Sequence, residues 1–164
     1  MRQKRKHLTY KAFYIGLTVA LALGVGVKAF AGPDRVSILG NSKHIGFRYD
    51  KYNETNPGVF LTWDDAIAPN VDFSVGAYQN SYARLSVMAS ASWLPIEVGP
   101  IQAGVFAGVA HYPVNGRDQP FHIGDWVPMA GVQVIAGNFF IQAMPASTNL
   151  KRSIIAAGIT FEVK

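Results

Sequence analysis

The sequence predicts an all-β protein, an eight-stranded antiparallel transmembrane β-barrel after a cleaved N-terminal signal peptide. Three observations carry that expectation. A basic and then apolar leader opens the chain, no later apolar run approaches the ~18 residues of a spanning helix, and apolar residues recur at every second position in strand-length segments. The clearest segment is Val71 to Trp93. Val71, Phe73, Val75 and Ala77 alternate with Asp72, Ser74, Gly76 and Tyr78; after the polar turn Gln79-Asn80-Ser81-Tyr82, Leu85, Val87, Ala89, Ala91 and Trp93 alternate with Arg84, Ser86, Met88, Ser90 and Ser92. Period two in both arms makes a hairpin, and each arm is close to the ~9–11 residues of a tilted membrane strand.

In the leader, Arg2, Lys4, Arg5, Lys6 and Lys11 precede an apolar run from Ala12 to Val27, and Lys28 leads into the small-x-small site Ala29-Phe30-Ala31. This places cleavage after Ala31, leaving residues 1–31 as signal peptide and 32–164 as the barrel domain. Location of charge also excludes a nucleic-acid partner. The whole chain carries +5, but six of its fifteen Lys and Arg lie in the leader with none of its ten Asp and Glu, so nine bases face ten acids in the mature chain. Cysteine is absent, so the exported chain must fold without disulfides or thiolate metal sites.

Along the mature chain, Gly32 to Lys43 reads as an N-terminal tail. His44 to Tyr52 alternates and reads as the first strand, Tyr52 to Gly58 as punctuation, Val59 to Trp63 as the second strand, and Asp64 to Asn70 as a connection. The central hairpin supplies strands three and four. Pro95 through Pro100 turns the chain, Ile101 to Ala110 is the fifth strand, and His111 to Asp125, with Pro113, Asn115-Gly116, Pro120 and Gly124, is the longest loop. Trp126 to Ala136, Asn138 to Met144 and Ile154 to Val163 complete the eight. Long loops at one end and tight turns at the other are what exported barrels have. Phe60, Trp63, Tyr78, Tyr82, Trp93, Tyr112, Trp126 and Phe161 fall near strand ends, where interfacial girdles form.

The residues resemble the PagP-like lipid A palmitoyltransferases of the bacterial outer membrane, as a divergent member. The resemblance spans nearly the whole mature chain. It is carried by His44; by Tyr52-Asn53-Glu54 and a Gly-containing strand ending Trp63-Asp64; by Asn80-Ser81; by Ser92-Trp93-Leu94-Pro95; by Gly104-Val105-Phe106-Ala107-Gly108-Val109; and by Trp126-Val127-Pro128-Met129 and Met144-Pro145. It implies an outer-membrane, monomeric barrel that holds one acyl chain and moves a palmitoyl-type group from a phospholipid acyl donor to a lipid A acceptor, with no cofactor and no metal. The family's catalytic His is matched by His44 and its Ser by Ser81. Its Asp position holds Asn80, the main departure, and the connection from His44 to Asn80 is shorter than the family's.

Ester-to-hydroxyl acyl transfer needs a base and a donor for the developing oxyanion. The resemblance gives the base to His44. It leaves three roles open to Ser81, as hydrogen-bond partner, nucleophile or oxyanion donor, and leaves Asn80 an amide but no charge. Ser86, Met88, Ser90 and Ser92 should face the acyl chain, with Ser92 at the floor position that selects chain length. A floor side chain there implies a product somewhat shorter than palmitoyl.

Other readings stand beside this one. His111 and His122, with Asp118 and Asp125, lack any ligand spacing and read as loop polarity, not a metal site. Gly104 and Gly108 read as strand glycines, since no Gly-rich turn leads into a helix. The chain could also be a non-catalytic outer-membrane barrel, structural or lipid-binding, that has lost the catalytic Asp, or a periplasmic lipocalin-like binder.

Overall fold

The computed structural model describes residues 32–47, 52–147 and 151–164. The expected leader, 1–31, lies outside the described residues, as do residues 48–51 of the expected first strand. Eight strands follow in chain order: β1 (Arg35–Ile45), β2 (Thr55–Ala68), β3 (Val71–Gln79), β4 (Leu85–Val98), β5 (Ile101–His111), β6 (Trp126–Ala136), β7 (Phe139–Pro145) and β8 (Ser153–Glu162). Each pairs antiparallel with its sequence neighbour, and β1 also pairs with β8, so the sheet closes on itself. Closure leaves no edge strand with unpaired N–H and C=O groups. Among the described residues, no helix is long and apolar enough to cross a membrane.

The central hairpin has the expected register, from Val71 opposite Trp93 to Gln79 opposite Leu85. The first strand does not. It begins at Arg35, inside the segment read as a tail, and ends at Ile45. The reason is a register shift between Leu39 and Asn41 against both neighbouring strands, which breaks the period-two pattern by one residue. Arg84, which the alternation groups with Ser86, Met88, Ser90 and Ser92 on the inner face, instead lies exposed in the connection before β4. β2 and β4 run longer than the sequence pattern predicts, because Pro57 and Pro95, which read as breaks, are carried inside the strands. Pro95 sits inside β4, in the register shift between Trp93 and Ile96, where its missing N–H removes no regular rung.

Short turns close one end of the barrel at 69–70, 99–100 and 137–138, and longer connections crown the other. Outward-facing residues form an apolar belt around the sheet: Ile38, Val59, Leu61, Val87, Trp93, Val105, Val132, Ile141 and Ile155 are all exposed. A continuous belt of this kind on a closed barrel needs an apolar surrounding. Trp93, Trp126 and Phe161 do face outward. Phe60, Tyr78 and Tyr112, expected in the girdles, pack with the interior instead. Glycine makes the room. A Cβ at Gly76 would lie 2.3 Å from the Phe60 ring, so the ring covers that glycine and fills the barrel.

The interior is divided by depth. Toward the long connections it is walled by Leu39, Tyr78, Met88, Tyr112, Met144 and Ala156. Toward the short turns it is polar: Arg35 is paired with buried Asp72 and donates from Nε to Asp64 at 2.7 Å, Ser37 donates to Thr160 at 2.9 Å, and Thr62 and Ser74 hydroxyls meet at 2.8 Å. Asp72 also accepts the Asp65 N–H at 3.1 Å. Removing one member of a buried pair strands the other charge, at a cost of about 3–5 kcal/mol. Arg35→Met should therefore destabilise the barrel by about that amount in urea unfolding from lipid vesicles, and adding Asp72→Leu should recover most of the loss.

Candidate functional site

The site forms where β1, the β1–β2 connection and the β3–β4 turn meet at the mouth. On β1, the shift at Gly40–Asn41 turns Ser42 and His44 inward and Lys43 outward; the Lys43 side chain is 71% exposed and that of His44 only 5%. The imidazole is fixed on several sides. Tyr52 stacks on it with ring centroids 4.9 Å apart, and Phe47 meets it edge-on at 5.3 Å.

Ser81 lies across the mouth, its Oγ 2.9 Å from His44 Nε2. Thus two of the three residues assigned catalytic roles from sequence come together, 37 positions apart in the chain. The third does not. Asn80 is fully buried, and both ends of its amide are engaged in building the turn: Nδ2 donates to Ser86 Oγ at 2.9 Å, and Oδ1 accepts the N–H groups of Tyr82 at 2.9 Å and Arg84 at 3.1 Å. This is an Asx-type turn, in which a side-chain carbonyl takes the place of a backbone acceptor. Asn80 holds Ser81 in place from behind, and its amide has no hydrogen left to aim at an oxyanion except the second on Nδ2.

A carboxylate singled out only as part of a motif stands at the site. Glu54 Oε1 accepts the His44 backbone N–H at 3.0 Å and lies 3.8 Å from His44 Nδ1; Oε2 is bound by Lys43 Nζ at 2.7 Å. Glu54 is delivered by a lacing of the β1–β2 connection to the hairpin: the Asn53 N–H donates to the Ser81 carbonyl at 2.8 Å, and buried Asn56 donates from Nδ2 to the Gln79 carbonyl at 2.9 Å. Its place in Tyr52-Asn53-Glu54, ten residues after His44, was the only signal in the sequence.

Charge at the mouth follows from these contacts. The His44 N–H and Lys43 hold the Glu54 carboxyl below the usual range, so it is ionised near neutrality. Burial, with Tyr52 and Asp118 nearby, pushes the Tyr82 hydroxyl up to about 12, so it stays protonated while it accepts Gln119 Nε2 at 3.1 Å and ties the turn to the long β5–β6 connection.

Beneath the pair opens a cavity of about 90 Å³, lined by Ser81 at the top, by Leu39, Phe60, Tyr78, Met88, Met129 and Ile154 along its walls, and by the polar groups below. It is room for a slim ligand, as eight strands allow, and not for an aqueous channel. Of the residues expected to face a ligand, Met88, Ser90 and Ser92 line the cavity; Ser86 is buried but occupied beneath the turn by Asn80. Ser92 is buried on β4. Its Oγ donates to Gln133 Oε1 at 3.3 Å, and Gln142 Nε2 donates to the same oxygen at 2.7 Å, so three strands join in a polar layer across the barrel. Among the described residues, no group of three or more His, Cys, Asp or Glu is placed to hold a metal ion.

No family model matches the chain, and no curated protein matches it. Among solved structures it is similar to the N-terminal β-barrel domain of Pseudomonas aeruginosa OprF, at 15% identity and a TM-score of 0.43, over 79% of this chain and 99% of that one. That likeness assigns no activity, and the closed sheet stands on its own hydrogen-bonded rungs.

Asn80→Ala should leave the Tyr82 and Arg84 N–H groups and the Ser86 hydroxyl without their partner, at about 1–3 kcal/mol for each group left unsatisfied. The expected result is faster hydrogen exchange at the Tyr82 and Arg84 amides and a lower unfolding midpoint. Asn80→Asp, which keeps both acceptor bonds, should lose less on both measurements.

Proposed function

We propose that the chain is an outer-membrane acyltransferase, exported through the leader at 1–31, that moves a palmitoyl-type acyl group from a glycerophospholipid to lipid A as a single chain. The observation that carries this reading is the 2.9 Å contact between His44 Nε2 and Ser81 Oγ above a cavity with apolar upper walls. Hydroxyl and base within hydrogen-bond reach are the minimum for nucleophilic acyl transfer. The belt of outward apolar side chains supports a membrane setting, and the resemblance to lipid A palmitoyltransferases supplies the two lipids.

The chemistry takes two steps. Ser81 Oγ bonds to the donor's ester carbonyl carbon while His44 Nε2 takes its proton; the proton passes to the departing glycerol oxygen as that C–O bond breaks, leaving the acyl group on Ser81. A lipid A hydroxyl then attacks the same carbonyl, giving its proton to Nε2, and the proton returns to Ser81 Oγ as the second ester is released. The acyl tail lies between Phe60, Met88 and Met129 with its end on the Ser92–Gln133–Gln142 layer. Burying hydrocarbon against hydrogen-bonded amides gains nothing, so the layer acts as a stop. A lateral path is offered between β6 and β7, whose rungs run only from Val132 to Ala136; higher up, Pro128 and Pro145 lack the N–H that would extend them.

Lipid A from cells expressing the chain should carry an extra acyl group, absent with His44→Ala and with Ser81→Ala. Unmodified lipid A from the wild type would leave a non-catalytic barrel. That alternative is favoured by the engagement of Asn80 away from the imidazole.

Chain length tests the floor separately. Ser92→Gly removes a hydroxyl from the polar layer and should move the product toward longer chains, each added methylene gaining up to ~0.8 kcal/mol of burial. Mass spectrometry of the modified lipid A reads the shift, and identical product lengths from both forms would remove Ser92 from the floor.

A further inference from the structure

We propose that Glu54 is the positioning carboxylate of this site, holding the His44 imidazole in the tautomer with its proton on Nδ1 and its lone pair on Nε2 toward Ser81. The proposal deepens the acyl-transfer reading and rests on it for its consequence in rate, but not for its effect on the imidazole. Three independent observations converge. First, His44 Nδ1 is buried and has no hydrogen-bond partner among the described residues, although a buried ring nitrogen is costly to leave unpaired. Second, Glu54 Oε1 stands 3.8 Å from that nitrogen while accepting the same residue's backbone N–H at 3.0 Å, so the carboxylate is anchored beside the ring it would orient. Third, the residue at the position where an orienting acid was expected, Asn80, has its carbonyl engaged by two backbone N–H groups.

The chemistry requires such a group. Neutral imidazole carries one proton and can accept the Ser81 proton at Nε2 only when that proton is on Nδ1. An acceptor at Nδ1 selects this tautomer, and a negative one also stabilises the imidazolium that forms once Nε2 is protonated. The 0.8 Å by which 3.8 Å exceeds the 3.0 Å already made to the main chain is within the reach of a small carboxylate rotation. Such contacts commonly shorten when substrate binds. Lys43 on Oε2 moderates the charge, and its Nζ holds the carboxylate from turning into solvent. Among the described residues, the charged groups around the ring are Lys43 on its own strand, Glu54 on the β1–β2 connection and, beyond Phe47, Arg152 before β8, whose guanidinium lies 5.3 Å from the Phe47 ring centre.

The test uses the full mature chain in detergent or lipid vesicles, with imidazole ¹⁵N resonances assigned by loss of the His44 signal in His44→Gln. In the wild type, His44 should report the Nδ1–H tautomer. Glu54→Gln should shift its titration to lower pH and mix the tautomers; Glu54→Asp should restore part of both. In acyl transfer, Glu54→Gln should lower kcat on the order of 10²-fold with little change in KM, less than the ~10⁴ lost when a buried triad aspartate becomes Asn, because Glu54 is partly open to solvent. An unchanged tautomer and titration in Glu54→Gln overturn the proposal, whether or not the chain transfers acyl groups. A shifted tautomer in a chain that transfers none upholds the role of Glu54 at the imidazole and overturns the reaction assigned to the site.

Discussion

Side chains in a closed sheet alternate between interior and exterior, so the placement of every functional group on a strand depends on its phase, and on β1 that phase changes once. Below Gly40–Asn41, Arg35, Ser37 and Leu39 point inward; above it, Ser42 and His44 do. Without the shift, Lys43 would enter the mouth and His44 would face outward. The cost is a local break in two ladders, which a glycine and an asparagine accommodate without a bulky side chain to be misplaced. Both neighbouring strands follow the shift, so it is held by the whole sheet and not by a loop.

The same closure sets the chemistry of the interior. Eight strands leave a bore that side chains nearly fill, so its character at each depth is that of a few residues. In the lower half, ion pair and hydroxyl pairs satisfy one another and exclude a hydrocarbon; in the upper half, aromatic rings and methionines leave a narrow apolar slot. The Ser92–Gln133–Gln142 layer belongs to both. Its hydrogen bonds run between β4, β6 and β7, so they also brace the wall of the barrel at that depth. Methionine suits the slot because its unbranched side chain can adapt to a guest.

Strand number, topology and the central hairpin were legible because period two is strong there and the turn between the arms is polar. Trp126 to Ala136 was read to the residue for the same reason. The first strand was misplaced because its pattern changes phase in the middle, and a reader seeking one continuous alternation finds only the half beyond the shift. Phe60, Tyr78 and Tyr112 were assigned to girdles by residue type, although alternation had already put Tyr78 on the face of Asp72, Ser74 and Gly76. Position outranks aromatic character when glycines opposite leave space. At the site, His44 and Ser81 were singled out through the resemblance alone, and the inward face of β4 was legible through periodicity. Glu54 could not be given a role, because its approach to His44 depends on lacing between two connections that no strand pattern encodes.

That lacing separates two tasks which one residue could otherwise perform. The amide at position 80 caps the turn well, since its carbonyl receives two N–H groups and its own N–H reaches Ser86, but it brings no charge. The charge arrives instead from the β1–β2 connection, on a residue tied to the main chain of the histidine itself. An acid fixed to its partner's backbone keeps its place whenever the strand does. The turn can then be optimised for rigidity behind Ser81 without compromising the electrostatics in front of it, and the two halves of the site can vary independently so long as Asn53 continues to bind the Ser81 carbonyl and hold the connections together.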